Sequence, residues 1–289
     1  TIDAKSPYTG GHCNRVPELT MLIAEAVCFT NTGPLADFNM DETEKHELAV
    51  AGWLHDCGKI VTPEYVMDKS SKLETIFDRI ALVECRIELA ISEIKNKHQQ
   101  QIIDELKQGK DITNLESQLP ELIQELEDDR LFLCAANIGG EFMKPEDQQR
   151  VRDIAKKCDV TINGIKQPLL TNNEVCNLEI AKGTLLPEER EIINHHMVIT
   201  IEMLESLPFP KHLRNVTEYA GGHHEKMDGT GYPKGLKRHE MSVPARMMAI
   251  ADIFEALTAS DRPYKSAKML SECLNIMGFM RLDQHIDPD

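Results

Sequence analysis

Leu73, Ile80, Ile87 and Ile94 recur every seven residues, with Ile76, Val83 and Ala90 at the second seam position. An apolar repeat of this period on a highly charged segment commits the chain to a long helix whose stripe must be covered by another helix. Gly109 and Asp111 mark a turn, after which Leu115, Leu119, Leu122, Leu126 and Leu133 give a second stripe, with Pro120 as its start or a kink. Two such helices joined by a short turn are predicted to pack on each other as an antiparallel hairpin. A homodimer seam or a docking surface for a partner protein is the other use of the same stripe. Helical spacing also marks residues 19–29, 44–54, 188–204 and 245–257. Strand-like alternation is scarce and aromatic residues are 5% of the chain, so the expected class is all-α. Pro187 followed by Glu188 and Glu189 reads as a helix start, and Pro208 and Pro210 end the helix that carries His195 and His196. Residues 159–182 are rich in Asn, Gly and Thr, lack a stripe, and read as a long return loop.

The 289 residues carry 32 Lys and Arg against 48 Asp and Glu, a formal net charge of −16, with 41% hydrophobic residues. That mix belongs to a globular chain and excludes a disordered one. The acidic balance argues against DNA or duplex RNA as a partner and against a membrane-surface protein, since both call for a basic face. The apolar stretch 19–29 is too short to span a bilayer. The chain begins at Thr1 without a Met and is read as a fragment, to which an upstream sensor or membrane anchor could belong. Eight Cys, no C-x-x-C pair and no secretory signal point to reduced thiols in the cytoplasm.

The chemistry concentrates in His and Asp. His55-Asp56 lies at the end of an apolar helix (LAVAGWLHDCGK), His195-His196 lies on another, and His223-His224 opens the run HHEKMDGTGYP. Asp252 interrupts the apolar MMAIADIFEAL, and His12 follows Gly10-Gly11. A His beside an Asp can be a surface pair, a base with its orienter, or two metal ligands. An unpaired carboxylate in apolar surroundings, as at Asp56 and Asp252, costs roughly several kcal/mol. A shared metal centre would satisfy both. Imidazole with carboxylate suits Fe, Mn or Zn rather than Ca or Mg, and two ions about 3.5–4 Å apart can share such a set. His46, His98, His212, His239 and His285 fall outside these runs and read as surface residues.

Five runs, TGGHCNRV, HDCGKIVTP, LLPEEREIINHHMVI, HHEKMDGTGYPKGL and ADIFEALTASDRPYK, together resemble the HD-GYP family of cyclic-dinucleotide phosphodiesterases, a branch of the HD metal-dependent phosphohydrolases. The resemblance implies an HD-type helical bundle built from residues 1–69 and 183–289. The roughly 110-residue block 70–182, where the family has a short connection, is then an inserted helical hairpin with its return loop. It further implies that His12, His55, Asp56 and Asp252 form the general HD metal site. His196, His223 and His224 would add a second site, with Asp56 bridging both; His195 falls on a variable position. Lys59 would contact a phosphate, and Tyr232, Arg262 and Lys265 would bind the nucleotide. Glu225 and Asp228 are expected to orient a ligand or fix the loop. Three-metal members carry Glu four residues before the first His; Tyr8 stands there, so two divalent ions are expected, iron first, with manganese, zinc or nickel as alternatives.

The implied reaction is hydrolysis of cyclic di-GMP to linear pGpG, with a second cut to GMP known in the family. A hydroxide bridging the metals would attack phosphorus in line, with Asp56 and Lys59 in the catalytic set. Such an enzyme serves bacterial second-messenger signalling. The alternatives are a preference for 3′,3′-cyclic GMP-AMP and a receptor that holds the nucleotide without turnover.

Overall fold

The structure is a computed structural model that describes residues 7–140, 142–259 and 268–289. In chain order the elements are α1 (Pro7–Cys28), α2 (Glu42–Leu54), a 3₁₀ turn (Cys57–Val61), α3 (Glu64–Met67), α4 (Ile80–Lys107), α5 (Thr113–Asn137) and α6 (Pro145–Lys157). There follow β1 (Asp159–Ile162), β2 (Ile165–Pro168), α7 (Asn172–Leu178), α8 (Pro187–Asn194), α9 (His196–Glu205), α10 (Val216–Gly221), α11 (Val243–Thr258) and α12 (Leu270–Leu282). The class is all-α, with one two-stranded sheet among the described residues. None of the described helices is long and apolar enough to cross a membrane.

The chain divides into two compact units, Thr1–Asp68 with Glu189–Asp289, and Lys69–Glu188. In the first, α1 packs on α2 and α11, and α10 packs on α2, α9 and α11. Their shared core holds Ala24, Leu48, Ala51, Leu204, Val216 and Met248, all essentially sealed from solvent. Local chemistry sets the helix ends that matter for the site. Asp41 begins α2 by accepting the backbone N–H groups of Thr43 and Glu44 at 2.8 and 2.9 Å, while Glu44 accepts from the Asp41 N–H at 2.9 Å. Ser242 caps α11 by accepting from the N–H of Ala245 at 3.3 Å. Residues 188–204 do not form the single helix the periodicity predicts. The helix breaks at His195, so that α9 starts on His196.

In the second unit α4 and α5 form the expected antiparallel hairpin, and their stripes are covered internally in part, with Leu122 left 46% exposed. Val83, Ile87, Leu126 and Leu133 pack with Val151 and Ile154 of α6 and Leu178 of α7. The seven-residue pattern overreaches at its start. Asp78 accepts the N–H of Ile80 at 3.0 Å and begins the helix there, so Leu73 is buried from outside α4 and Ile76 is 97% exposed. Pro120 lies inside α5, not at its start. His98, expected on the surface, is buried, and its Nε2 donates to the Leu115 carbonyl at 2.6 Å, tying α4 to α5.

The expected return loop is instead ordered. Residues 159–168 form a hairpin pairing Val160 with Gln167 and Ile162 with Ile165. Asn163 and Gly164 at its tip have φ of 53° and 77°, the positive values that a two-residue turn of this hand requires. Thr171 then caps α7 in a capping box with Glu174.

Candidate metal centre

The first unit brings five polypeptide segments to one buried point. His12 comes from α1, His55 and Asp56 from the end of α2, His196 from the first residue of α9, His223 and His224 from the turn after α10, and Asp252 from α11. His12, His55, Asp56, His196, His223 and Asp252 are each at most 9% exposed. The break at His195 separates the two adjacent histidines, leaving His195 exposed and turning His196 inward.

Asp56 lies between two groups of imidazoles. Its Oδ2 is 3.3 Å from both His12 Nε2 and His55 Nε2. Its Oδ1 is 3.2 Å from His196 Nε2 and 3.9 Å from His223 Nε2. Asp252 Oδ1 joins the first group, 3.1 Å from His12 Nε2 and 4.0 Å from His55 Nε2. Asp56, His196, His223 and His224 form one set of ligand atoms within 4.8 Å of one another, and His12, His55 and Asp56 form another.

The outer ring nitrogens fix the tautomers. Nδ1 of His55, His196 and His223 donates to the carbonyls of Gly52, Ile193 and Ala220 at 2.7, 2.5 and 2.7 Å. Nδ1 of His12 faces Glu255 Oε2 at 2.5 Å. With the Nδ1 positions so committed, the Nε2 atoms turn into the centre, the arrangement that supports metal-ligating histidines. Asp56 Oδ1, His196 Nε2 and His223 Nε2 are buried without a hydrogen-bond partner. Buried acceptors left in this state are costly, and a divalent cation on each side of Asp56 would satisfy them. The residues therefore fit the metal that the donor chemistry calls for.

The charges agree. Burial works to lower the pKa of His12, but hydrogen bonds to Asp252, Asp56 and Glu255 outweigh it and push it up to about 11. Burial likewise opposes ionisation of Asp56, yet Lys59, His55, His12 and His196 hold it well below the usual carboxylate range. Burial pushes His224 down to about 4 against the pull of Asp252. The site thus keeps its carboxylates ionised and His224 neutral, as ligation needs, whereas His12, paired with three carboxylates, has to release its Nε2 proton when a cation binds. Lys59 Nζ donates to Asp56 Oδ2 at 2.5 Å.

Around the centre, Glu225 fixes the GTGYP loop. Its two carboxylate oxygens accept the N–H groups of Lys234 and Leu236 at 2.7 and 2.8 Å. Asp228 accepts from the Thr230 N–H and hydroxyl, both at 2.8 Å. The Tyr232–Pro233 peptide is cis, and the Tyr232 ring stacks on His224 with centroids 4.8 Å apart and planes 17° from parallel. Arg262 and Lys265 lie outside the described residues, as does the side chain of Tyr8. Two residues went unnoticed in the sequence. Glu255 is buried, holds His12, and accepts Arg15 Nε at 2.9 Å and Arg15 Nη2 at 2.5 Å. Each stands three residues after a ligand candidate on the same helix, Asp252 and His12, and that spacing is the only signal of them.

A family model of the HD domain matches residues 170–289, and an HD domain implies divalent-metal binding. The chain is 40% identical over 108 residues to 3′3′-cGAMP-specific phosphodiesterase 3 of Vibrio cholerae, 37% of this chain and 22% of that protein. It is 43% identical over 90 residues to a cyclic di-GMP phosphodiesterase of Thermotoga maritima, 31% of this chain and 24% of that protein. It is 52% identical over 62 residues to 3′3′-cGAMP-specific phosphodiesterase 1 of Vibrio cholerae, 22% of this chain and 14% of that protein. The chain therefore spans no more than about a quarter of the length of these relatives.

Proposed function

We propose that this chain, an HD-domain protein similar to the HD-GYP cyclic-dinucleotide phosphodiesterases, is a metal-dependent phosphodiesterase that opens cyclic di-GMP to linear pGpG. One observation carries the reading: the two oxygens of Asp56 face two separate imidazole groups, 3.3 Å from His12 and His55 on one side and 3.2 Å from His196 on the other. His12, His55, Asp56 and Asp252 would hold one divalent ion, and Asp56, His196, His223 and His224 the other. Iron is the ion the resemblance favours, with manganese, zinc and nickel as alternatives. When bound, such ions supply an activated water and neutralise charge on a phosphodiester.

The protein's own residues do the remaining work. The carbonyl-anchored Nδ1 protons keep His55, His196 and His223 in one tautomer. Lys59, beside Asp56, supplies the cation for a non-bridging phosphate oxygen. Tyr232 would contribute to nucleotide binding from its position against His224, together with Arg262 and Lys265. A −16 chain can accept an anionic substrate here because the positive charge is local. Residues 70–182 are then an insertion within the catalytic domain. The eight thiols, none in a disulfide, suit a reducing cytoplasm.

The names of two relatives favour a second reading, preference for 3′,3′-cyclic GMP-AMP. The test is anaerobic turnover of both nucleotides by the iron-loaded chain, with products separated by chromatography. Formation of pGpG from cyclic di-GMP, lost in Asp56→Asn, is the expected result. Faster turnover of cyclic GMP-AMP selects the second reading, and tight binding of either nucleotide without product makes the protein a receptor.

A further inference from the structure

The second unit contains a cavity of about 360 Å³ that the proposed reaction does not use. It lies between the end of α5, the segment that follows it, and residues 180 and 181. Its wall is apolar, with Phe132, Phe142 and Met143 as the large side chains, and Phe142 and Ile138 at its mouth are each 70% exposed. Lys72 also lines it and is 3% exposed. The ammonium donates to the Leu178 carbonyl at 2.8 Å and to the thioether of Met143 at 3.3 Å. A thioether is a weak acceptor, so one strong bond serves a group with three protons. Among the described residues no carboxylate forms an ion pair with Lys72. Burial alone lowers its pKa to about 8, leaving it cationic at neutral pH.

A buried cation that pairs with no described carboxylate, set in the largely apolar wall of a cavity, is half of a recognition site. The volume falls at the small end of the usual range for ligand pockets, about 300–1,000 Å³. Asp147 lines the same cavity without pairing to Lys72 and disfavours a second negative charge. We propose that this cavity binds a small apolar monocarboxylate, whose carboxylate accepts from Lys72 Nζ and whose hydrocarbon or aromatic body lies on Phe132, Phe142 and Met143. Phosphate esters and dicarboxylates are excluded by the single cation and by Asp147. The proposal is independent of the metal centre.

The test is titration calorimetry of the full chain with octanoate, phenylacetate and, as the neutral match, 1-octanol. The expected result is one-to-one binding of at least one carboxylate, with octanol weaker than octanoate by about tenfold or more, the worth of one charge-assisted hydrogen bond. Lys72→Met is expected to remove that preference, and Phe142→Ala, at an exposed position, to weaken the carboxylates without disturbing the fold. Failure of both carboxylates to bind, octanol binding as tightly as octanoate, or a folded Lys72→Met with unchanged affinity would overturn the proposal. Should Lys72→Met fail to fold, the comparison of octanoate with octanol on the native chain decides the matter alone.

Discussion

Glu255 Oε2 lies 2.5 Å from His12 Nδ1, on the side of the ring away from Asp56. The carboxylate is buried and is itself held by Arg15 through two bonds. It keeps the Nδ1 proton in place and raises the basicity of Nε2, the atom that faces Asp56 and Asp252.

Replacing Glu255 by Ala is therefore expected to weaken metal binding by about 10–100-fold, the usual cost of losing the partner of a ligating histidine. Glu255→Gln, which keeps an acceptor, should lose less. Chelator competition on the two variants checks this order, and equal loss in both would assign the effect to charge rather than to the hydrogen bond.

Gly58 makes a close backbone approach at the centre. A Cβ there would come 2.1 Å from the His196 carbonyl oxygen and 2.6 Å from the Thr200 nitrogen. The Gly58 N–H donates to Thr200 Oγ1 at 2.9 Å, so the turn after Asp56 is seated on the start of α9. Gly58→Ala must push His196 away from Asp56. It should cost at least about 1–3 kcal/mol of stability, as overpacking does, and reduce metal content with it. Urea unfolding and elemental analysis of the same preparation measure the two effects together.

Glu174 provides a pH signature in the second unit. Its carboxylate accepts from Arg86 Nη2 at 2.7 Å, and from the Thr171 N–H and hydroxyl at 2.8 and 2.9 Å. Burial works to raise its pKa, but Arg86 and Thr171 overcome that and hold it below the ordinary value. The folded pKa is lower than the unfolded one, so the stabilisation is fully present above the unfolded pKa, about 4.3. It is lost as pH falls through the folded pKa. Amide hydrogen exchange along α7 should be slower in the native chain than in Glu174→Gln at pH 6, and the difference should shrink as the pH falls below about 4.

Much of the centre was legible because it is written in contiguous runs. HDCGK and HHEKMDGTGYP each hold several candidate ligands in one short run, and the structure brings His12, His196 and Asp252 beside His55 and Asp56. Glu255 and Arg15 escaped because a charged residue three places from a ligand on a helix is more often a solvated neighbour. In the second unit two signals were present but outweighed by composition. Asn163-Gly164 between short β-forming stretches is a hairpin signature, and Thr171 with Glu174 three residues on is a capping box, yet the Asn, Gly and Thr content of 159–182 suggested a loop. The seven-residue pattern failed at Ile76 for a different reason. Periodicity does not detect that Asp78 satisfies the N–H of Ile80 and starts the helix there. His98 shows the converse: a lone His on a charged helix is buried because a carbonyl of the facing helix, Leu115, accepts from it.

The claim on which the rest depends is that Asp56 joins two cation sites. Elemental analysis of anaerobically purified protein, beside the Asp56→Ala variant shown to be folded by circular dichroism, tests it most directly. The account predicts two divalent ions per native chain, with both sites depleted and hydrolysis abolished in the variant. A folded Asp56→Ala protein that still holds two ions and turns over cyclic di-GMP at the native rate would contradict it.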